Sequence, residues 1–118
     1  MIRKFVAVFL FALAVSSPVS AKGWHVRAPY RGGASAMEAA IHATWPAHLH
    51  RQALNVAWCE SRGSAHARNH QYLGHFQMGR WEWRTYGRGN PFNAIDNSAA
   101  AYRYYRAAGG WGPWQCSP

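Results

Sequence analysis

The 118-residue sequence predicts a mainly α domain, and three observations carry that prediction. Leu49, Ala53, Val56, Ala57 and Glu60 fall at helical spacings on one stripe. The run through Ala99, Ala100, Ala101, Tyr102 and Tyr105 lies between a capping Asn93 or Asp96 and a Gly109-Gly110 stop. No segment alternates apolar and polar residues with period two, and there is no internal repeat.

Taken in chain order, Met1-Ile2-Arg3-Lys4, the apolar run from Phe5 to Val15 and the small residues Val19 and Ala21 read as a secretory leader over 1–21. The apolar run is well short of the roughly 20 residues a bilayer-spanning helix needs. About 97 residues follow the expected cut, enough for one small domain with a thin core. Gly23, Pro29, Gly32 and Gly33 mark 22–34 as a flexible or loosely docked arm in which little function is expected. The folded domain is then expected over 35–118. It opens on a short helix with Ser35 as N-cap and Glu38 as its capping-box partner, ending before Pro46, with Trp45 in the core.

A second helix runs from Ala47 or His48 to about Ser61, broken by Gly63. Ser64 to Gln71 is polar and reads as a loop, followed by the turn Leu73-Gly74-His75-Phe76-Gln77-Met78. Met78 to Tyr86 is a third helix stopped by Gly87, and the alanine-tyrosine helix comes last.

Export places Cys59 and Cys116 in an oxidising compartment, where one disulfide is favoured over two free thiols and would pin the tail beside Glu60. The formal charge is +9. Removal of Arg3 and Lys4 with the leader leaves eleven bases against four acids, or +7. Such a charge draws polyanions in general, and export directs it to the envelope or the medium.

The four acids are Glu38, Glu60, Glu82 and Asp96, so carboxylate chemistry rests on one or two of them. Glu60, on a buried stripe and near Phe76 and Met78, suits a proton donor held neutral in a partly apolar cleft. Asp96 and Glu82 are the candidate second carboxylates, with helix capping and surface pairing as their respective alternatives. Trp81, Trp83, Trp111, Trp114, Tyr72 and Tyr86 can stack on sugar faces, and one or two of the six are expected to do so. His66 and His70 lack the glutamate of a His-Glu-x-x-His site, and His48 and His50 point to different helix faces. Neither metal nor cofactor is expected.

Glu60-Ser61 near a helix end, the Gly-x-Phe-Gln-Met turn, and an alanine-tyrosine helix leading to Gly-Gly-Trp-Gly-Pro-Trp together resemble the lysozyme-like transglycosylase superfamily. They look most like its small secreted members, resuscitation-promoting factors among them, over roughly Gln52 to Cys116. The resemblance implies a lysozyme-like fold and cleavage of the β-1,4 bond between N-acetylmuramic acid and N-acetylglucosamine in peptidoglycan. It implies Glu60 as general acid and base, with Ser61, Tyr72, Gln77 and Tyr102 against substrate. Arg103 stands where an asparagine usually follows the alanine-tyrosine element, and His75 where an apolar residue is more common.

The expected protein is a secreted or envelope-localised monomer acting on glycan strands, held to anionic wall polymers by its charge. The readings kept beside it are a hydrolytic muramidase using Asp96 and a non-catalytic cationic wall-binding or antimicrobial protein. Nucleic acid is not an expected partner, since no recognition motif is present.

Overall fold

Helix signals in the sequence and helices in the molecule coincide closely. The computed structural model describes residues 29–118; the leader at 1–21 and residues 22–28 of the arm lie outside the described residues. Helix α1 spans Ser35–Thr44, a 3₁₀ turn covers Ala47–Leu49, and α2 spans His50–Ser61. A minimal hairpin follows, β1 at Arg68–Asn69 and β2 at Tyr72–Leu73, then α3 at Arg80–Tyr86 and α4 at Ala94–Ala108. The protein is mainly α, with α1 packed on both α2 and α4 and α3 resting on α4. Among the described residues no helix is long and apolar enough to cross a membrane.

The core takes Met37 and Ile41 from α1, Ala53, Val56 and Ala57 from α2, and Ala100 and Ala101 from α4. Two small residues on α4 let its backbone approach, and the space gained goes to the buried rings of Trp45, Phe76 and Trp114. Trp45 is the centre of an aromatic cluster, with Tyr102, Trp111, Tyr105 and Phe76 at centroid distances of 5.0 to 5.5 Å. Its indole Nε1 donates to Ser98 Oγ at 3.1 Å, and Ser98 in turn bonds Thr44 Oγ1 at 2.7 Å. Thr44 donates to the Ala40 carbonyl, so the Ser98 hydroxyl proton goes to Thr44 and every polar group in the chain is satisfied.

Helix α4 starts and stops as its sequence indicates. The Asn93 side chain accepts from the Asp96 N–H at 2.9 Å, and Gly109 takes the left-handed conformation (φ +78°) that closes the last turn. Helix α1 differs. Its N-cap is Ala34, no side-chain cap bond forms there, and Ser35 is already helical, so the expected capping box is absent. Tyr30 replaces it: the phenol oxygen accepts from the Ala34 N–H at 2.7 Å and donates to the Glu38 carboxylate. A ring supplied from outside the helix thus takes the helix's first-turn acid.

That arrangement revises the loosely docked arm at its inner end. Tyr30 is only 6% exposed, its ring meets Trp58 at 5.2 Å, and its backbone N–H donates to Asn55 Oδ1 at 3.0 Å. Burial, then the bond to Glu38, push the phenol pKa above its ordinary value. Two further boundaries shift. Helix α2 begins at His50 and not at Ala47 or His48, those residues forming a 3₁₀ turn, while its end at Ser61 is as expected and is closed by Arg62 at φ +55°, its guanidinium lying over the Trp58 ring at 5.7 Å. The segment 64–71, read as a loop, contains β1 because Arg68 pairs with Leu73 and Asn69 with Tyr72.

The expected disulfide joins Cys59 to Cys116 across a separation of 57 residues. On the chain-entropy account, closing a loop of this length stabilises the fold by about 4 kcal/mol, as much as a large buried side chain.

Replacing Tyr30 by phenylalanine removes both hydroxyl bonds and keeps the ring. Urea unfolding should show a loss of about 1 to 3 kcal/mol; an unchanged midpoint would mean that Tyr30 does not cap α1.

Candidate functional site

Glu60 lies in the last turn of α2, half-buried, next to the cysteine that carries the disulfide. Three segments converge on it. The hairpin and the turn after it bring Asn69, Tyr72 and Gln77, and the C-terminal tail brings Pro113, Trp114 and Gln115, enclosing a cleft of about 190 Å³. Glu60 is the only carboxylate among these lining residues, and no basic side chain is among them. The Cys116 N–H donates to Glu60 Oε2 at 3.2 Å, which orders the carboxyl group.

The turn that presents Gln77 is held from four sides. Leu73 and Met78 exchange backbone hydrogen bonds of 3.0 and 2.9 Å, closing the loop between them. Asn97, fully buried on α4, accepts from the Phe76 N–H at 2.8 Å and donates to the carbonyls of Leu73 and Pro91 at 3.0 and 2.9 Å. Gly74, at φ +78°, passes so close that a Cβ there would collide with Asn97 Nδ2 and the Pro91 carbonyl. Trp114 Nε1 donates to the Phe76 carbonyl at 2.9 Å, so both backbone groups of Phe76 are fixed.

Gln77 itself adopts φ +49°, the left-handed region. Its Nε2 donates to the carbonyls of Ala67 and Gly74 at 3.2 and 3.1 Å, so the amide oxygen is the group it retains toward the cleft. A left-handed backbone at a non-glycine residue is tolerated where the surroundings over-determine it, and here the Ala67 and Gly74 carbonyls do so, Gly74 also accepting from the Gln77 N–H at 3.0 Å.

His75, which stands where the resembled pattern more often has an apolar residue, is 1% exposed and does not line the cleft. Its Nε2–H donates to the Gly63 carbonyl at 3.2 Å, linking the turn to the end of the Glu60 helix. Desolvation holds its pKa below the ordinary 6.5, helped by His66 and opposed by the Gly63 bond. Arg103 closes the other end of the same region, its Nε donating to the Tyr86 carbonyl at the end of α3 at 2.7 Å.

Of the expected substrate contacts, Tyr72 and Gln77 line the cleft with Glu60. Ser61 does not: it is buried, donating to the Ala57 carbonyl at 2.8 Å and accepting from the Gly63 N–H at 3.3 Å. Tyr102 is taken by the aromatic cluster, packed on Trp45 with the Arg106 guanidinium 5.8 Å from its ring. Asp96, the candidate second carboxylate, is engaged at the start of α4, where Oδ2 accepts from the Asn90 N–H at 3.0 Å. The Glu82 carboxylate hangs over Gly79, where a Cβ would collide with it. Two of the six candidate platforms, Tyr72 and Trp114, reach the cleft.

Sequence reasoning missed Asn69, Pro113 and Gln115. The antiparallel pairing that aims Asn69 at Glu60 is two residues long and carries no periodic signal. A wider groove of about 700 Å³ lies near the other end of α2, lined by Tyr30, Arg31, Glu38, His50, Arg51 and Leu54 among others. Its one carboxylate, Glu38, is committed to Tyr30, so the smaller cleft has the better chemistry. Among the described residues no group of three His, Cys, Asp or Glu side chains is placed to hold a metal.

No family model matches the chain, and no curated protein or solved structure shows significant similarity to it.

Two outcomes follow from this geometry. Asn97→Leu leaves the Phe76 N–H and the Pro91 carbonyl without their partner, the Leu73 carbonyl keeping the Met78 N–H, and should cost about 2 to 4 kcal/mol in denaturant unfolding; a smaller loss than Tyr30→Phe would contradict the clamp. Because His75 titrates lower folded than unfolded, the unfolded chain binds the extra proton as pH falls through 6.5. Stability should therefore drop from pH 7 toward pH 5, and His75→Gln should flatten that part of the Tm profile.

Proposed function

We propose that the chain cleaves peptidoglycan glycan strands at the N-acetylmuramic acid to N-acetylglucosamine β-1,4 bond, as a lytic transglycosylase of lysozyme-like type. The observation that carries this reading is that Glu60 is the sole carboxylate lining a cleft walled by Gln77, Tyr72 and Trp114. An ordinary hydrolase needs a second carboxylate across the scissile bond, and Asp96 is committed elsewhere. One acid suffices if the substrate supplies its own nucleophile.

In that mechanism the protonated Glu60 gives its proton to the leaving glycosidic oxygen as the C1–O bond breaks. The acetamido group of the muramic residue supports the positive charge at C1. A hydroxyl of the same sugar then bonds to C1 and releases its proton to the Glu60 carboxylate, closing an anhydro ring and restoring the acid. Water is not consumed. The exposed Tyr72 ring gives flat apolar surface to a pyranose C–H face, the buried Trp114 bounds the cleft behind it, and the Gln77 oxygen accepts from a sugar hydroxyl or amide. The +7 charge of the processed chain favours residence on an anionic wall.

Mass spectrometry of soluble products from purified peptidoglycan tests the reading. Wild type should release anhydro-muropeptides and Glu60→Gln should be slower by roughly 10²- to 10⁴-fold. Reducing-end products would replace the transglycosylase by a muramidase. Equal lysis by the variant would remove Glu60 from the chemistry and favour a cationic wall-binding protein.

A further inference from the structure

We infer that Cys116 is a positioning residue for Glu60, acting through its backbone N–H, and that the Cys59–Cys116 disulfide is a redox gate on the site. The inference rests on the peptidoglycan-cleaving reading above. Glu60 directly follows one half of the disulfide, and its Oε2 accepts from the amide of the other half at 3.2 Å. One covalent bond therefore ties the acid's helix to the donor that orients the acid. An N–H can only donate, so in the acid form Oε2 is the carbonyl oxygen and the transferable proton rides on Oε1.

The tail between Trp111 and Cys116 is also a wall of the cleft. Pro113, Trp114 and Gln115 line it, and the tail contains no helix. Its upstream end is held independently: the Trp114 ring is buried among Phe76, Tyr104 and Trp111, and its Nε1 donates to the Phe76 carbonyl. The downstream end is held covalently by the disulfide, with an isolated backbone bridge and burial of Cys116 adding to it. Opening the disulfide removes the covalent hold on Gln115 and Cys116 beyond a fixed Trp114, weakens the hold of the donor on Glu60 and loosens one wall; Cys116 borders the buried core, but neither cysteine lies on α1 or α4, which pack directly on each other.

The chemistry balances with a dithiol as reductant. Its thiolate attacks one sulfur of the disulfide to form a mixed disulfide, and its second thiol displaces the remaining protein sulfur. The two electrons and two protons end on Cys59 and Cys116 as thiols, and the dithiol leaves as its cyclic disulfide. A chain kept reduced would thus carry an unarmed Glu60, and oxidation would arm it.

The test compares the oxidised protein, the protein reduced with dithiothreitol and a Cys59→Ala/Cys116→Ala variant, at low temperature on soluble glycan strands. Amide hydrogen exchange is followed by segment. The reduced protein and the variant should each lose about ten-fold or more in kcat. The Cys116 amide should lose protection while α1 and α4 keep theirs, and reoxidation should restore the rate of the reduced wild type. Equal kcat in oxidised and reduced protein would overturn the gate. So would loss of protection in α1 and α4 together with the tail, which would make the disulfide a staple of the whole fold. If the oxidised wild type releases neither anhydro nor reducing-end products, it is the functional reading that fails. The exchange pattern then still decides whether the disulfide tethers the tail alone.

Discussion

A single buried side chain, Asn97, sets the geometry on which the cleft depends. Its amide bonds the Phe76 N–H and the carbonyls of Leu73 and Pro91, drawing the turn after β2 and the loop before α4 onto one point of one helix. A hydrogen bond of this kind is worth about 1 kcal/mol net, but each partner left unsatisfied in the interior costs more than that. The turn therefore has one low-energy position. Gly74 belongs to the same constraint, since only a residue without Cβ fits against the Asn97 amide. Once Phe76 is fixed at its N–H by Asn97 and at its carbonyl by Trp114, the placement of Gln77 opposite Glu60 follows.

Acid scarcity sharpens the division of labour. Glu38 accepts the hydrogen bond of the Tyr30 hydroxyl at the start of α1, Asp96 fastens the loop before α4, and Glu82 leans over the N-cap of α3. These are helix-start positions, where a negative charge also meets the positive end of the helix dipole. Glu60 sits instead in the last turn of its helix, where that dipole disfavours an anion. Its Cys116 N–H contact compensates in part.

The helices were legible because their signals are local. Asn93, Gly109 and the stripe of α2 lie within a few residues of what they control. The capping of α1 was not, because Tyr30 reaches it from outside the helix and a serine at the right spacing stood closer. In the site, Glu60, Tyr72 and Gln77 were legible from motif context, and the tail's approach to Glu60 from the cysteine pair. Ser61 and Tyr102 do not line the cleft because both are taken by internal partners, and Ser61, one helical residue on from Glu60, points about 100° away from it. Asn69 and Gln115 had no signal of their own, since a two-residue strand and an irregular tail carry no period.

The two departures from the resembled pattern fit one mode of construction. His75 and Arg103 each donate to a backbone carbonyl at a helix end, Gly63 after α2 and Tyr86 at the close of α3. Asn97, Trp114 and Gln77 likewise bond main-chain groups of irregular segments. A core of small helices cannot reach around a cleft with packed apolar surface alone. The cleft walls here are loops, whose main-chain groups must be satisfied one at a time. Long polar side chains reaching from helices and turns to those groups do that work and fix loop position at the same time. An apolar residue at 75 would leave the Gly63 carbonyl without this donor, and an asparagine at 103 would be too short for the span the guanidinium covers. Polar reach at 75 and 103 thus satisfies the main chain where α2 and α3 end.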